Sequence, residues 1–231
     1  MINLFNIQIG FKSKLFSIDE LCLERGKLYT LIGKNGIGKS TFLKTIAEII
    51  QPLEGKINWK SKLPKEQRIA FVSSKFDGVE NLNTYDYISL GRAPYTNLFG
   101  KLNQEDKSII NESIDLLNLS HLKNKETIKL SDGERQIASI GRAITQNTEL
   151  IILDEPTAFL DYENKVKIIN LLSKIAKERN CCIIHSSHDI ELSTEFSDFI
   201  LIIQEEKLTQ LNSKVTSKSD LIKLAFPSVN L

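Results

Sequence analysis

The stretch Gly33-Lys34-Asn35-Gly36-Ile37-Gly38-Lys39-Ser40 constrains this chain more than any other. Its spacing is G-x-x-x-x-G-K-[ST], and each position has a physical task. Gly36 and Gly38 allow a tight turn that brings backbone N–H groups inward. Those groups and the start of a following helix make a concave anion site. Lys39 adds a full positive charge toward β- and γ-phosphates, and Ser40 offers a hydroxyl to magnesium. The flanks supply the required setting. Lys27 to Ile32 reads as a strand, and Thr41 to Ile50 reads as a helix.

A second group of residues suits the same ligand. Leu150-Ile151-Ile152-Leu153 is a continuous apolar run, expected of a strand buried on both faces, and it ends in Asp154 and Glu155. Carboxylates at the carboxyl end of a parallel strand lie where α/β sheets bind ligands. Asp154 can hold magnesium through water, and Glu155 can polarise a water for attack on a γ-phosphate. A third segment is Leu130-Ser131-Asp132-Gly133-Glu134-Arg135-Gln136. Ser131 and Glu134 have capping-box spacing, and Ile137, Ile140 and Ile144 give the following helix a buried face. The cap alone accounts for these residues, yet it also presents N–H groups to a phosphate. Whose phosphate that is stays open at this level.

The rest of the chain reads as follows. Ile2 to Ile9 alternates like a half-exposed strand. Phe16 to Leu23, Ile57 to Trp59 and Ile69 to Val72 give further strands. From Thr84 to Thr145 only helix signals occur. They include a short helix Thr84 to Leu90, a loop marked by Pro94 and Gly100, and a helix capped by Asn103. The apolar face of that last helix is expected to include Ile109, Ile110, Ile114, Leu116 and Leu117. A helix from about Asn164 to Glu178 follows, then strands at Cys181 to Ile184 and Phe199 to Ile203. Leu208 to Leu211 forms a hairpin with the latter, and Ser219 to Phe226 reads as a terminal helix. The fold class is α/β: a parallel-sheet core with an N-terminal antiparallel part and an inserted helical lobe. The core spans about 1–75 and 146–231, and the lobe about 76–145.

Composition excludes several roles. Lys and Arg total 30 against 29 Asp and Glu, so no global basic field exists to hold nucleic acid or a membrane surface. The first residues lack the basic start and apolar core of a signal peptide, and no apolar run approaches a membrane span. Any membrane association is expected to come through a partner. Three cysteines cannot form a fully paired framework. Neighbours Cys181 and Cys182 point to opposite faces of a strand, as core residues in a reducing compartment. His185 and His188 are too few for a metal site without further ligands nearby.

Together the motifs resemble the nucleotide-binding subunit of an ATP-binding cassette (ABC) transporter, from about Asn3 to Leu211. Gly33 to Ser40 matches Walker A, Ile151 to Glu155 matches Walker B, and Leu130 to Gln136 matches the signature. Ala158 to Asp161 looks like the D-loop, and Ser187-His188-Asp189 like the switch-histidine segment. The resemblance implies that Phe11 stacks on adenine. Gly33, Asn35, Gly36, Gly38, Lys39, Ser40 and Thr41 would bind the nucleotide, and Ser131 and Gly133 would grip the same ATP from a second copy. It also implies catalytic roles for Lys39, Glu155 and His188, and Mg2+ ligation by Ser40, Asp154 and Ser74. Leu90 to Tyr95 and Phe99 to Leu102 look like the helical lobe of importers for iron-siderophore, haem and cobalamin. Such ATPases work as homodimers on integral membrane permease subunits, with an external substrate-binding protein, at the cytoplasmic face of the membrane.

Two departures bear on that reading. Ser74 falls where the family has a Gln after the strand, and the signature carries Asp132 for Gly and Glu134 for Gln. Two carboxylates near a triphosphate repel it unless they are tied up locally. Glu134 is expected to fold back on the Ser131 N–H, with Asp132 facing away. The alternatives are a soluble ABC ATPase without a membrane partner and a weakly hydrolysing nucleotide-binding module.

Overall fold

The computed structural model describes residues 2–204, 206–216 and 218–225. Phe226, expected at the end of the terminal helix, lies outside them. Among the described residues, nine strands form one sheet: β1 (Ile2–Gly10), β2 (Lys14–Leu23), β3 (Leu28–Ile32), β4 (Glu54–Trp59), β5 (Ile69–Val72), β6 (Leu150–Leu153), β7 (Cys182–Ser186), β8 (Phe199–Gln204) and β9 (Lys207–Asn212). Their spatial order is β4-β1-β2-β9-β8-β3-β7-β6-β5. The run β8-β3-β7-β6-β5 is wholly parallel, while β1 pairs antiparallel with β2 and β4, and β8 with β9. The α/β class and the N-terminal antiparallel part are therefore as the sequence pattern predicts. A parallel strand buried on both faces needs apolar residues throughout. β6 meets that condition throughout and β3 does so except at Thr30, and every residue of both is buried.

The helices are α1 (Lys39–Ile46), α2 (Lys65–Arg68), α3 (Thr84–Ser89), α4 (Gln104–Leu116), α5 (Asp132–Gln146), α6 (Tyr162–Glu178), α7 (Ile190–Phe196) and α8 (Lys218–Ala225). Strands β5 and β6 lie side by side, Ile69 opposite Leu150, yet α3, α4 and α5 intervene in the chain. One sheet face, the apolar faces of α4, α5 and α6, and Cys181 share a single core. The opposite face packs on α1 and β1–β2 and takes in Cys182. The two adjacent cysteines thus point to opposite cores, as strand alternation requires.

Several local expectations are corrected. The helix after the glycine loop stops at Ile46, not Ile50. Glu48 adopts φ +53°, and the Ile49 N–H returns to the Lys44 carbonyl at 2.9 Å. Tertiary partners hold that cap: the Glu48 carboxylate pairs with Arg68 at 2.9 Å, and its carbonyl accepts from Lys65 at 2.6 Å. On α4, Ile110 and Ile114 are buried with Leu117 just beyond, whereas Leu116 is 41% exposed. At 100° per residue Leu116 turns off the stripe that i, i+4, i+7 defines. Pro94 lies in a 3-10 turn, Leu90–Tyr95, rather than a loop. Alternation in β1 is broken at Asn6, φ +50°, where a bulge resets the buried phase from Ile2 and Leu4 to Ile7 and Ile9.

Candidate functional site

The central strand β3 delivers the glycine loop to the carboxyl edge of the sheet. Gly36 and Gly38 have φ of +76° and +111°. A side chain at either would be strained, so glycine is what lets the loop close. Gly38 serves as N-cap without any side chain, and its carbonyl accepts from the Phe42 N–H at 2.9 Å. Lys39 is buried and donates to the carbonyls of Gly33 at 2.9 Å and Lys34 at 3.2 Å. Burial lowers its pKa, and the carboxylates of Glu155 and Asp154 pull the other way.

A cleft of about 520 Å³ opens here. Asn35, Gly36, Gly38, Lys39, Ser40 and Thr41 line it from the loop, Leu15 from β2, and Glu155 and His188 from beyond β6 and β7. His188 Nε2 lies 3.0 Å from Glu155 Oε1. Asp154 is buried just beneath, its N–H bonded to the Val72 carbonyl at 2.9 Å. Residues distant in sequence thus converge because β3, β7 and β6 are parallel neighbours ending at one edge. The donor set suits a magnesium nucleotide: loop amides and a lysine for phosphate, a Ser40 hydroxyl and the Asp154 carboxylate as hard oxygen ligands. Nothing approaches within 4 Å of a Cβ built on Gly36, which leaves the loop open toward that space.

Not every sequence-predicted residue gathers there. Gly33 contributes its carbonyl to Lys39 rather than lining the cleft. Phe11 is 65% exposed on the β1–β2 turn, outside the lining. Ser74, half-buried after β5, lines neither cleft, and Lys75 beside it pairs with Asp77 at 2.7 Å. Ser131 and Gly133 line a separate cleft of about 430 Å³ with Asp132, Phe159, Leu160 and Asp161. Within one chain, the two predicted halves are separate surfaces.

The altered start of α5 behaves as its capping spacing demands. Glu134 Oε2 accepts from the Ser131 N–H at 2.8 Å, and Ser131 Oγ accepts from the Glu134 N–H at 3.2 Å. Lys125 adds an ion pair to Glu134 at 3.0 Å. Partial burial raises the Glu134 pKa, but the Ser131 amide and Lys125 outweigh it and leave the carboxyl below its usual range. Asp132 pairs with Arg135 on its own helix. Both extra carboxylates are locally neutralised.

Sequence reasoning missed Ser186. It is fully buried at the end of β7, its hydroxyl 2.7 Å from Asp154 Oδ1 and 2.8 Å from the Glu155 nitrogen. The available signal was a hydroxyl two residues past the apolar run Cys181 to Ile184 and two residues before His188. Among the described residues, no group of three or more His, Cys, Asp or Glu is placed to hold a metal. No described helix is long and apolar enough to cross a membrane.

Comparison with known proteins agrees with this geometry. The profile of the family described as "ABC transporter" matches residues 17–158. An uncharacterized ABC transporter ATP-binding protein of Methanocaldococcus jannaschii is 38% identical over 217 residues, covering 90% of this chain and 74% of that protein. The iron(3+)-hydroxamate import ATP-binding protein FhuC of Bacillus subtilis is 31% identical, covering 85% and 76%. The molybdate import ATP-binding protein MolC of Haemophilus influenzae is 30% identical, covering 93% and 84%. A metal-chelate type ABC transporter solved in an inward-facing conformation superposes with a TM-score of 0.83 at 28% identity, covering 96% and 88%.

Proposed function

Since the chain belongs to the ABC transporter family, as an ATP-binding protein of the ABC-type ATPase class, we propose that it is the ATP-hydrolysing subunit of an importer. The observation that carries this is the convergence of Lys39, Ser40, Glu155 and His188 on one cleft while Ser131 and Gly133 line another. A triphosphate held by the glycine loop of one copy would be completed by the signature of a second, so the working unit is a homodimer. Lys39 and the loop amides hold phosphates, with Gly33, Asn35, Gly36, Gly38 and Thr41 shaping that cradle. Ser40 and Asp154 would hold Mg2+, and Phe11, exposed outside the cleft lining, would stack on a base that extends beyond it. Glu155 accepts the proton of the attacking water, and His188 orients Glu155. Bound magnesium would share the charge of the γ-phosphoryl group, to which the water oxygen bonds as the bridging P–O bond breaks and ADP leaves.

Residues 76–145 form the lobe that meets integral membrane permease subunits, at the cytoplasmic face of the membrane, with an external binding protein upstream. The cargo is a metal chelate such as an iron-siderophore, haem or cobalamin. The iron(3+)-hydroxamate import relative and the segments around Arg92 and Phe99 support this, while the molybdate import relative names a different cargo. Arg92 itself is buried against Asp106, a packing role rather than a cargo contact. Ser74 lies off the cleft, which favours a second reading with slow turnover. The test is size-exclusion chromatography of the Glu155→Gln protein. A dimer with ATP and a monomer without it are expected, and a monomer in both conditions overturns the two-copy site. Phosphate release by the wild-type protein then separates the two readings.

A further inference from the structure

Ser186 ends β7 between His185 and Ser187 and has no exposed surface. A buried hydroxyl costs free energy unless it is paired. Here both of its capacities are used on adjacent residues of another strand. The Glu155 N–H can only donate, so Ser186 Oγ accepts there, at 2.8 Å. The single hydroxyl proton is then left for Asp154 Oδ1, at 2.7 Å. No described side chain donates to Asp154 Oδ2, which remains available to a metal or its water. Glu155 adopts φ +49°, a left-handed conformation that non-glycine residues rarely take and that must be held by surrounding bonds. The bond to Ser186 holds it. As a result two consecutive carboxylates part: Asp154 stays beneath the cleft, and Glu155 reaches His188 at 3.0 Å.

We infer that Ser186 is a positioning residue for hydrolysis, whose hydroxyl sets the metal-facing oxygen of Asp154 and the aim of Glu155 together. An apolar residue would fill the same strand position but would leave the Glu155 N–H without a partner and Asp154 free to rotate. The inference rests on the hydrolytic reading above and adds to it a link between β7, which carries the switch histidine, and the end of β6. Because β7 and β6 are already paired through Leu153 and His185, the hydroxyl is not needed to hold the strands together. Its effect should appear in chemistry before stability.

The test compares wild type, Ser186→Ala, Ser186→Thr and Glu155→Gln as purified full chains. Three quantities are read: kcat and KM for ATP, Mn2+ affinity of the ATP complex by electron paramagnetic resonance, and the urea midpoint. Ser186→Ala is expected to lower kcat about tenfold or more, with KM within about twofold, and to weaken Mn2+ binding several-fold. Ser186→Thr keeps a hydroxyl on a strand-favouring residue and should restore most of both. If Ser186→Ala does not fold, Ser186→Cys takes its place with the same expectation. A folded variant with wild-type kcat and Mn2+ affinity overturns the inference. So does equal loss in Ala and Thr, which would mark a packing role. Wild type as inert as Glu155→Gln overturns the hydrolytic reading instead, and the Mn2+ measurement still decides the placement of Asp154.

Discussion

His185 makes the fold sensitive to acid in a way that can be worked out in advance. It lies wholly buried in β7, Nε2 2.8 Å from Thr30 Oγ1. Burial pushes its pKa down to about 4, whereas an unfolded histidine titrates near about 6.5. Above the unfolded value both states are neutral and the full stability is present. As pH falls from there toward the folded value, only the unfolded chain takes up the proton, so stability is lost. The slope is about 1.4 kcal/mol per pH unit, and about 3 kcal/mol over the whole window. His185→Gln retains a polar group toward Thr30 and cannot titrate. Urea denaturation of both proteins at pH 7.5 and 5.0 should show the wild type losing about 2 kcal/mol more than the variant. Asp106 and Glu134, whose carboxyls lie below the usual range, are common to both proteins and cancel in the difference. Parallel profiles for the two proteins would show that His185 is not the acid-sensitive group.

Three further outcomes follow from packing and capping. A Cβ at Gly91 would overlap the Arg142 carbonyl and come within 3.0 Å of the Gln146 nitrogen, so Gly91→Ala should cost about 1–3 kcal/mol by thermal denaturation. Arg92→Ala strands the 2% exposed Asp106 side chain and should cost about 3 kcal/mol or more in urea. Glu134→Ala removes half of the capping box and should cost about 1 kcal/mol, while Glu134→Gln, which can still accept from Ser131, should be close to neutral.

The site was largely legible because its motifs depend on residue type at fixed spacing. A glycine loop, an apolar strand ending in carboxylates and a capping box are each imposed by local chemistry. Parallel β3, β7 and β6 then bring the first two together with His188, which periodicity alone could not assemble. Tertiary effects account for what stayed hidden. Glu48 ends α1 because Arg68 and Lys65 reach it from α2, contacts that no local propensity encodes. The bulge at Asn6 shifts the phase of β1 without breaking its apolar content. Ser186 lies beyond the strand expected at Cys181 to Ile184, and its partners lie 31 and 32 residues away in sequence.

If the cleft between the glycine loop and Glu155 hydrolyses ATP, Glu155→Gln must separate binding from turnover. Single-turnover phosphate release and equilibrium ATP binding should be measured on the same preparation. Wild-type ATP affinity is expected, with turnover reduced about a hundredfold or more, as loss of a general base entails. Unchanged hydrolysis in that variant would contradict it.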